Sequence, residues 1–109
     1  MLDNHREHFI GLYLNTHLKV IKVELISLGT INTCIVHPRE VFRPAIVGRS
    51  AGLIVLHNHP SNDIEPSEDD MKVTRRLKEV GEIMQMPLYD HIIFSGDKFV
   101  SMKERGGVF

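Results

Sequence analysis

Two histidines and one aspartate in a short stretch of this sequence are suited to chemistry. His57 and His59 are two positions apart after an apolar run, and Asp70 follows eleven residues later. Residues i and i+2 of an extended chain point to the same side, so both imidazoles can reach one point. Two histidines and one carboxylate form a ligand set that leaves a fourth zinc position open, as in catalytic sites. The spacing predicts one Zn²⁺ ion per chain, which would lower the pKa of a bound water towards 7.

Such a site also needs a base that is not itself a metal ligand. The best candidate is Glu24, the one acidic residue in the apolar run Val20–Ile26. A carboxylate in a central strand is costly unless it is paired or used, so its presence there favours a role in chemistry. Glu40 is the rival, but it follows Pro38 in a predicted first helical turn, where an acid simply favours the helix dipole.

Two of these residues also have plain structural interpretations. Ser67 and Asp70 have the spacing of a capping box, with Ser67 as the N-cap of a helix. The two interpretations are compatible, because an N-cap serine would hold Asp70 in a fixed position of the first turn. His91, at the entry of a predicted strand, is interpreted as a hydrogen-bonded structural histidine in preference to a group acting on the metal site.

The predicted elements must position these residues. Strands are predicted over 9–14, 19–27, 31–37, 53–56, 88–95 and 98–102, and helices over 38–49 and 68–84. The first two strands and the last two strands are each predicted to form a hairpin. Residues 1–7 are predicted as a polar lead-in and 57–66 as a loop. The order β-β-β-α-β-α-β-β predicts an α/β fold with a mixed β-sheet and flanking helices.

Length and composition predict a single domain over residues 1–109. The balance of 13 basic and 14 acidic side chains argues against DNA binding by this domain alone. Cys34 is predicted as a small core residue, and a lone cysteine predicts a reducing compartment. With no membrane-length apolar run and no signal-peptide pattern, we expect a cytoplasmic protein. The edge strands of a mixed sheet also leave a homo-oligomer open.

The order Glu, His-x-His, Ser-x-x-Asp resembles the JAMM motif of the JAB/MPN metalloenzymes, a superfamily of zinc-dependent deubiquitinating isopeptidases. The surrounding residues are closer still to its bacterial RadC branch. The segments that carry this resemblance are Gly29-Thr30, His37-Pro38-Arg39-Glu40, His57-Asn58-His59-Pro60-Ser61, Pro66-Ser67, Asp90-His91 and Glu104-Arg105-Gly106. The resemblance implies an MPN-type sandwich, similar to that of cytidine deaminases.

The resemblance also implies a site and an activity. Zinc would be held by His57, His59 and Asp70, Glu24 would be the general acid/base, and Ser67 would stabilise the oxyanion. The implied function is that of a metallohydrolase that cleaves a peptide or isopeptide amide bond of a peptide or protein substrate with a zinc-activated water.

The alternative is a DNA-repair or recombination accessory module that binds DNA or protein partners, with zinc as a structural element. RadC-type proteins usually have an N-terminal helix-hairpin-helix region that binds DNA. These 109 residues contain no such region, so we do not carry DNA binding over to them.

Overall fold

A computed structural model describes residues 6–109 as a five-stranded sheet with three helices. The strands are β1 (His8–Leu14), β2 (Val20–Leu28), β3 (Gly52–Asn58), β4 (Leu88–Ser95) and β5 (Lys98–Ser101), and the helices are α1 (Pro38–Val47), α2 (Glu68–Met84) and α3 (Met102–Arg105). The sheet order is β2-β1-β3-β4-β5. Only β3 and β4 are parallel among these pairs, and α2 supplies the crossover that a parallel pair needs. The predicted α/β fold with a mixed sheet is confirmed.

The hydrophobic core lies on one face of the sheet, where both long helices pack. Phe9 of β1, Leu53 of β3, Phe42 of α1 and Leu77 of α2 are all buried in it. The two helices approach each other closely at Gly81, where an added Cβ would lie 3.4 Å from the Phe42 ring. This packing fixes α2 against the sheet, and with it the first turn that carries Asp70.

The strand predicted over 53–56 is confirmed as part of β3, at the centre of the sheet. The N-terminal end of β1 lies beside the C-terminal end of β3, because these two strands are antiparallel and Phe9 is opposite His57. The first turn of α2 follows the loop after β3. Three segments distant in sequence therefore meet at one end of the sheet.

The segment 31–37, predicted as a strand, is a turn instead. The side-chain oxygen of Asn32 accepts hydrogen bonds from the backbone N–H groups of Cys34 and Ile35, at 2.9 and 3.0 Å. Asparagine bonds its own following backbone in this way, and here the turn outweighs the β-branched composition. Cys34 is exposed, so its assignment to the core was wrong.

Further differences concern the bounds of the elements: β3 continues through His57 and Asn58, which were predicted to lie in a loop. Helix α1 ends at Val47, two residues before its predicted end, and the short α3 was not predicted. Residues 1–5 of the predicted lead-in lie outside the described residues. Among residues 6–109, none of the helices combines the length and the hydropathy of a membrane-spanning segment.

Candidate metal centre

The end of β3 and the start of α2 bring the three sequence-predicted ligands together. His57 is buried near the end of β3, and His59 follows the strand with a small part of its side chain exposed. Asp70 is buried in the first turn of α2. His57 Nδ1 lies 3.0 Å from Asp70 Oδ1, and His59 Nε2 lies 3.0 Å from Asp70 Oδ2. One carboxylate therefore contacts both imidazoles.

A fourth group, Glu7, contacts His57 through the ring nitrogen that does not face Asp70. Its Oε1 lies 3.0 Å from Nε2 of His57. Ligand atoms of Glu7, His57 and His59 all lie within 4.8 Å of one another, close enough to hold one metal ion. Glu7 is a quarter exposed, whereas His57 is 1% exposed, so the Glu7 carboxylate remains accessible to water.

The Glu7 backbone is held in place by Asn58, the residue between the two histidines. The Asn58 side-chain oxygen accepts a hydrogen bond from His8 N at 2.5 Å, and its Nδ2 donates to Arg6 O at 2.9 Å. Asn58 is itself buried. One side chain thus binds the backbone on both sides of Glu7, and we name this arrangement the Asn58 clamp.

The predicted capping box is present and it orients Asp70. Ser67 Oγ accepts a hydrogen bond from Asp70 N at 3.0 Å, and Asp70 Oδ2 accepts one from Ser67 N at 2.8 Å. The same Oδ2 contacts His59. Ser67 itself is exposed and, with Glu7 and His59, lines a polar cleft of about 540 Å³. A cavity of similar size between α1 and α2 is apolar and is lined by Phe42 and other side chains away from this cluster.

Comparison with known proteins assigns the chain to a family. A family model described as the RadC-like JAB domain matches residues 1–107. The chain belongs to the RadC-like JAB domain family. Its resemblance to the RadC branch is therefore confirmed.

Curated relatives of this RadC-like JAB domain are named UPF0758 proteins. The one from Chlorobium chlorochromatii is 49% identical over 104 residues, which are 95% of this chain and 47% of the relative. The one from Shouchella clausii is 52% identical over 101 residues, 93% of this chain and 44% of the relative. The one from Bacillus mycoides is 52% identical over 103 residues, 94% of this chain and 46% of the relative. The chain spans about half the length of these relatives.

In this RadC-like JAB domain Glu24 is not part of the cluster, which corrects the expectation that it is the acid/base. It lies on β2, an edge strand, opposite Gly11, and Gly11 separates it from Val55 of β3. The Tyr13 ring lies over Gly11, because a Cβ added there would be 2.6 Å from the Tyr13 hydroxyl oxygen. The Glu24 carboxylate is 41% exposed and lies 4.0 Å from Lys22 Nζ.

The physical reason for the error is the position of β2 in the sheet. A carboxylate on an exposed edge strand stays solvated, so its presence among apolar residues costs little and implies no chemistry. The rival Glu40 is exposed as well and lies 3.7 Å from the Arg39 side chain on α1. The group that sequence reasoning missed is Glu7, which lay in the predicted lead-in. Finding it required knowing that β1 pairs with β3.

The electrostatics of the cluster fit a bound cation. Burial alone would raise the pKa of the Asp70 carboxyl, but its contacts with His57 and His59 and the hydrogen bond from Ser67 hold that pKa well below its ordinary value. The hydrogen bond to Asp70 raises the pKa of His59. The site therefore holds a buried negative charge, which calls for a histidinium or a metal ion beside it.

The buried nitrogen Nδ1 of His57 also indicates that the site can bind a cation. It lies 3.0 Å from Asp70 Oδ1, yet it has no hydrogen-bond partner among the residues that the structure describes. Buried polar atoms are nearly always hydrogen-bonded, so this nitrogen is available to bind another group, such as a metal ion. The donor set of two imidazoles and carboxylates is the one that Zn²⁺ accepts.

His91 is connected to the backbone of Asp70 through the side chain of Thr74. Its Nδ1 lies 2.6 Å from Thr74 Oγ1, which lies 2.6 Å from the backbone oxygen of Asp70. Since the threonine has one hydroxyl hydrogen and donates it to that carbonyl, His91 Nδ1–H is the donor to Thr74. Burial, and next the proximity of His57, lower the pKa of His91 to about 3. The interpretation of His91 as a hydrogen-bonded structural histidine is confirmed.

Proposed function

We propose that this domain is a zinc-dependent hydrolase that cleaves peptide or isopeptide amide bonds. The observation that carries the proposal is the meeting of two imidazoles and the buried Asp70 beside a polar cleft that His59 and the accessible Glu7 line. A purely structural zinc site usually has four protein ligands and no cleft. A carboxylate that faces the cleft beside the ligands is what hydrolysis requires in addition.

In this proposal His57, His59 and Asp70 hold the zinc ion, and Glu7 is the group that handles protons. Support for Asp70 as a ligand comes from its burial, its contacts with both histidines and its fixed orientation in the capping box. Support for Glu7 as the acid/base comes from its partial exposure in the cleft. Zinc would supply Lewis-acid chemistry there, lowering the pKa of water and polarising a carbonyl group.

In this proposal Glu7 transfers protons, Ser67 stabilises the oxyanion and the cleft binds the substrate. Glu7 accepts a proton from the attacking water and delivers it to the amine that leaves. Ser67 Oγ accepts a hydrogen bond from Asp70 N, so the hydroxyl keeps its own hydrogen to donate to the developing oxyanion. The cleft that Glu7, His59 and Ser67 line has the volume of a small-ligand site, sufficient for a few residues of a peptide.

Metal content tests the first half of the proposal. We expect elemental analysis of the purified protein to find one zinc ion per chain, and to find none in Asp70→Ala. Asp69→Ala is the matched control, because Asp69 is exposed in the same helical turn and its loss should leave the zinc content unchanged. Zinc retained by Asp70→Ala, or absent from the parent after reloading, would contradict the proposed ligand set.

Cleavage tests the second half. The zinc-loaded protein is incubated with a panel of peptides and of peptides linked through a lysine ε-amide, and products are identified by mass spectrometry. We expect cleavage by the parent and none by Glu7→Gln. Stoichiometric zinc without cleavage of any amide in the panel would contradict the hydrolase and favour zinc as a structural element.

A further inference from the structure

The outer edge of β2 is an exposed apolar surface. Among residues 6–109 no strand pairs with it, because β2 is the last strand in the sheet order. Five of its nine residues are large apolar side chains that are 41–60% exposed, namely Val20, Ile21, Val23, Leu25 and Leu28. An edge of this kind presents free backbone groups and can pair with a further strand. The surface therefore has the chemistry of a docking site for an extended chain.

The charged residues of β2 favour the β2 strand of a second copy of this chain as the partner. In an edge strand the backbone N–H and C=O groups of every second residue point away from the sheet. When two copies of this strand pair antiparallel about a two-fold axis, the axis must therefore pass between one residue and the same residue of the second copy, and the pair is centred on that residue. Centring on Lys22 places it opposite Lys22 of the second copy, and centring on Glu24 places two carboxylates together, which is unfavourable. Centring on Val23 places Lys22 opposite Glu24 of the second copy, twice. The strand is self-complementary in that register.

The side chains on both faces of the sheet are compatible with pairing centred on Val23. Val23 lies opposite Leu12, and Leu25 lies opposite Ile10, so their side chains lie on the sheet face away from the helices. Lys22 lies opposite Tyr13, on the face that the helices cover. Pairing around Val23 thus brings apolar side chains together on one face and opposite charges together on the other.

Two irregularities limit the length of the pairing. The register of β2 with β1 shifts between Leu25 and Ser27 and again between Val20 and Lys22. Regular strand geometry therefore runs over four residues, from Lys22 to Leu25. Bulges are a device that restrains edge pairing, so the contact is short and readily reversed.

We propose that a second copy of this chain docks on the edge of β2 through an antiparallel β2–β2 pair centred on Val23. The inference does not depend on the metal centre, because the contacts that define it lie on β2 alone. Pairing would join the two five-stranded sheets into one continuous sheet across the two-fold axis.

Charge reversal tests both the partner and the register. Sedimentation equilibrium over a range of protein concentrations at low salt should show a reversible dimer of the parent. Lys22→Glu and Glu24→Lys should each weaken that dimer at least tenfold, because each variant faces itself with like charges. A mixture of the two variants should form a heterodimer, since two acidic side chains then face two basic ones.

The matched control lies on the opposite edge of the sheet. Lys98→Glu reverses a charge on the exposed edge strand β5 and should leave dimerisation unchanged. A parent that stays monomeric at every concentration would overturn the proposal, and so would a dimer that both reversals leave intact. Failure of the mixed variants to associate would overturn the register. Zinc content, measured on the same samples, should not differ among them.

Discussion

Glu7 Oε1 lies 3.0 Å from Nε2 of His57, although the two residues are fifty positions apart in the chain. The pairing of β1 with β3 produces this contact, because it sets Phe9 opposite His57 and leads the preceding residues past the end of β3. The cleft carboxylate and the candidate metal ligand His57 are therefore brought together by the sheet.

This contact predicts which glutamate handles protons. Glu7→Gln should keep one zinc per chain and lower kcat by about 10²- to 10⁴-fold, the usual contribution of general acid–base catalysis. Glu24→Gln should keep both zinc and kcat, because Glu24 lies on the exposed edge of β2. Zinc content and kcat are measured on the same preparations. Loss of kcat in Glu24→Gln with full activity in Glu7→Gln would reverse the assignment.

Metal removal should destabilise the fold. A ligand that binds only the native state stabilises it by about 2.7 kcal/mol at a hundredfold excess over Kd. For a domain of this size that corresponds to a rise in Tm of about 10–20 °C. We expect differential scanning fluorimetry with and without a chelator to show this difference in the parent. In Asp70→Asn the two melting curves should coincide, and a chelator-sensitive Tm there would argue for a site without Asp70.

The capping box predicts a coupling between helix stability and metal affinity. Ser67→Ala should lower the free energy of unfolding by about 1 kcal/mol through the lost cap. It should also weaken zinc binding by roughly 10- to 100-fold, the usual cost of removing a group that orients a ligand. Ser101→Ala removes the cap of α3, where Ser101 Oγ accepts from Glu104 N. That control should lose stability alone, as measured by urea unfolding and zinc titration.

The Asn58 clamp predicts an effect on Glu7 from a residue that does not touch its carboxylate. Asn58→Leu removes the hydrogen bond that His8 N donates and one of the two hydrogen bonds to Arg6 O, and should cost about 2 kcal/mol of stability. Because the backbone on both sides of Glu7 then loses its contact with Asn58, and only the hydrogen bond from Gly29 N to Glu7 O remains of those described for it, kcat should fall with zinc content retained. Asn62→Leu, at an exposed position of the following loop, is the control that should change neither. Unchanged kcat in folded Asn58→Leu would show that Glu7 is positioned by other contacts.

His91 predicts an acid sensitivity of the metal-free fold. Its pKa is lowered from 6.5 to about 3 by burial, so the unfolded chain takes up a proton below pH 6.5 that the folded chain does not. The stability that neutral His91 contributes is present above pH 6.5 and is lost as pH falls, by up to about 1.4 kcal/mol per pH unit. Urea unfolding between pH 7 and 5 should show a steeper loss in the parent than in His91→Gln. Equal slopes would mean that the pKa of His91 is the same in the folded chain as in the unfolded chain.

The sequence predicted those parts of the site that depend on neighbouring residues. The His57–His59 spacing follows from strand geometry, and the Ser67–Asp70 pair follows from the capping box. Helix α2 and strand β3 were predicted because their hydrophobic patterns are strong and local. These features need no knowledge of which strands are neighbours.

The errors came from properties that sheet order decides. Apolar residues around Glu24 suggested a central strand, whereas β2 is at an edge and most of its side chains are exposed. Glu7 lay in a polar segment whose importance depends on a pairing with residues about fifty positions away. In segment 31–37 a single side chain, Asn32, decided the local structure against the β-branched composition.

The Asn58 clamp has a consequence for where the working unit of this fold begins. Strand β1 starts at His8, so a boundary drawn from the sheet alone would leave Glu7 outside it. A version trimmed to start at His8 would retain His57, His59 and Asp70 and could still bind zinc. It would lack the proton carrier of the proposed hydrolase, so we expect Glu7, the residue just ahead of β1, to decide whether a zinc-binding version of this domain is also active.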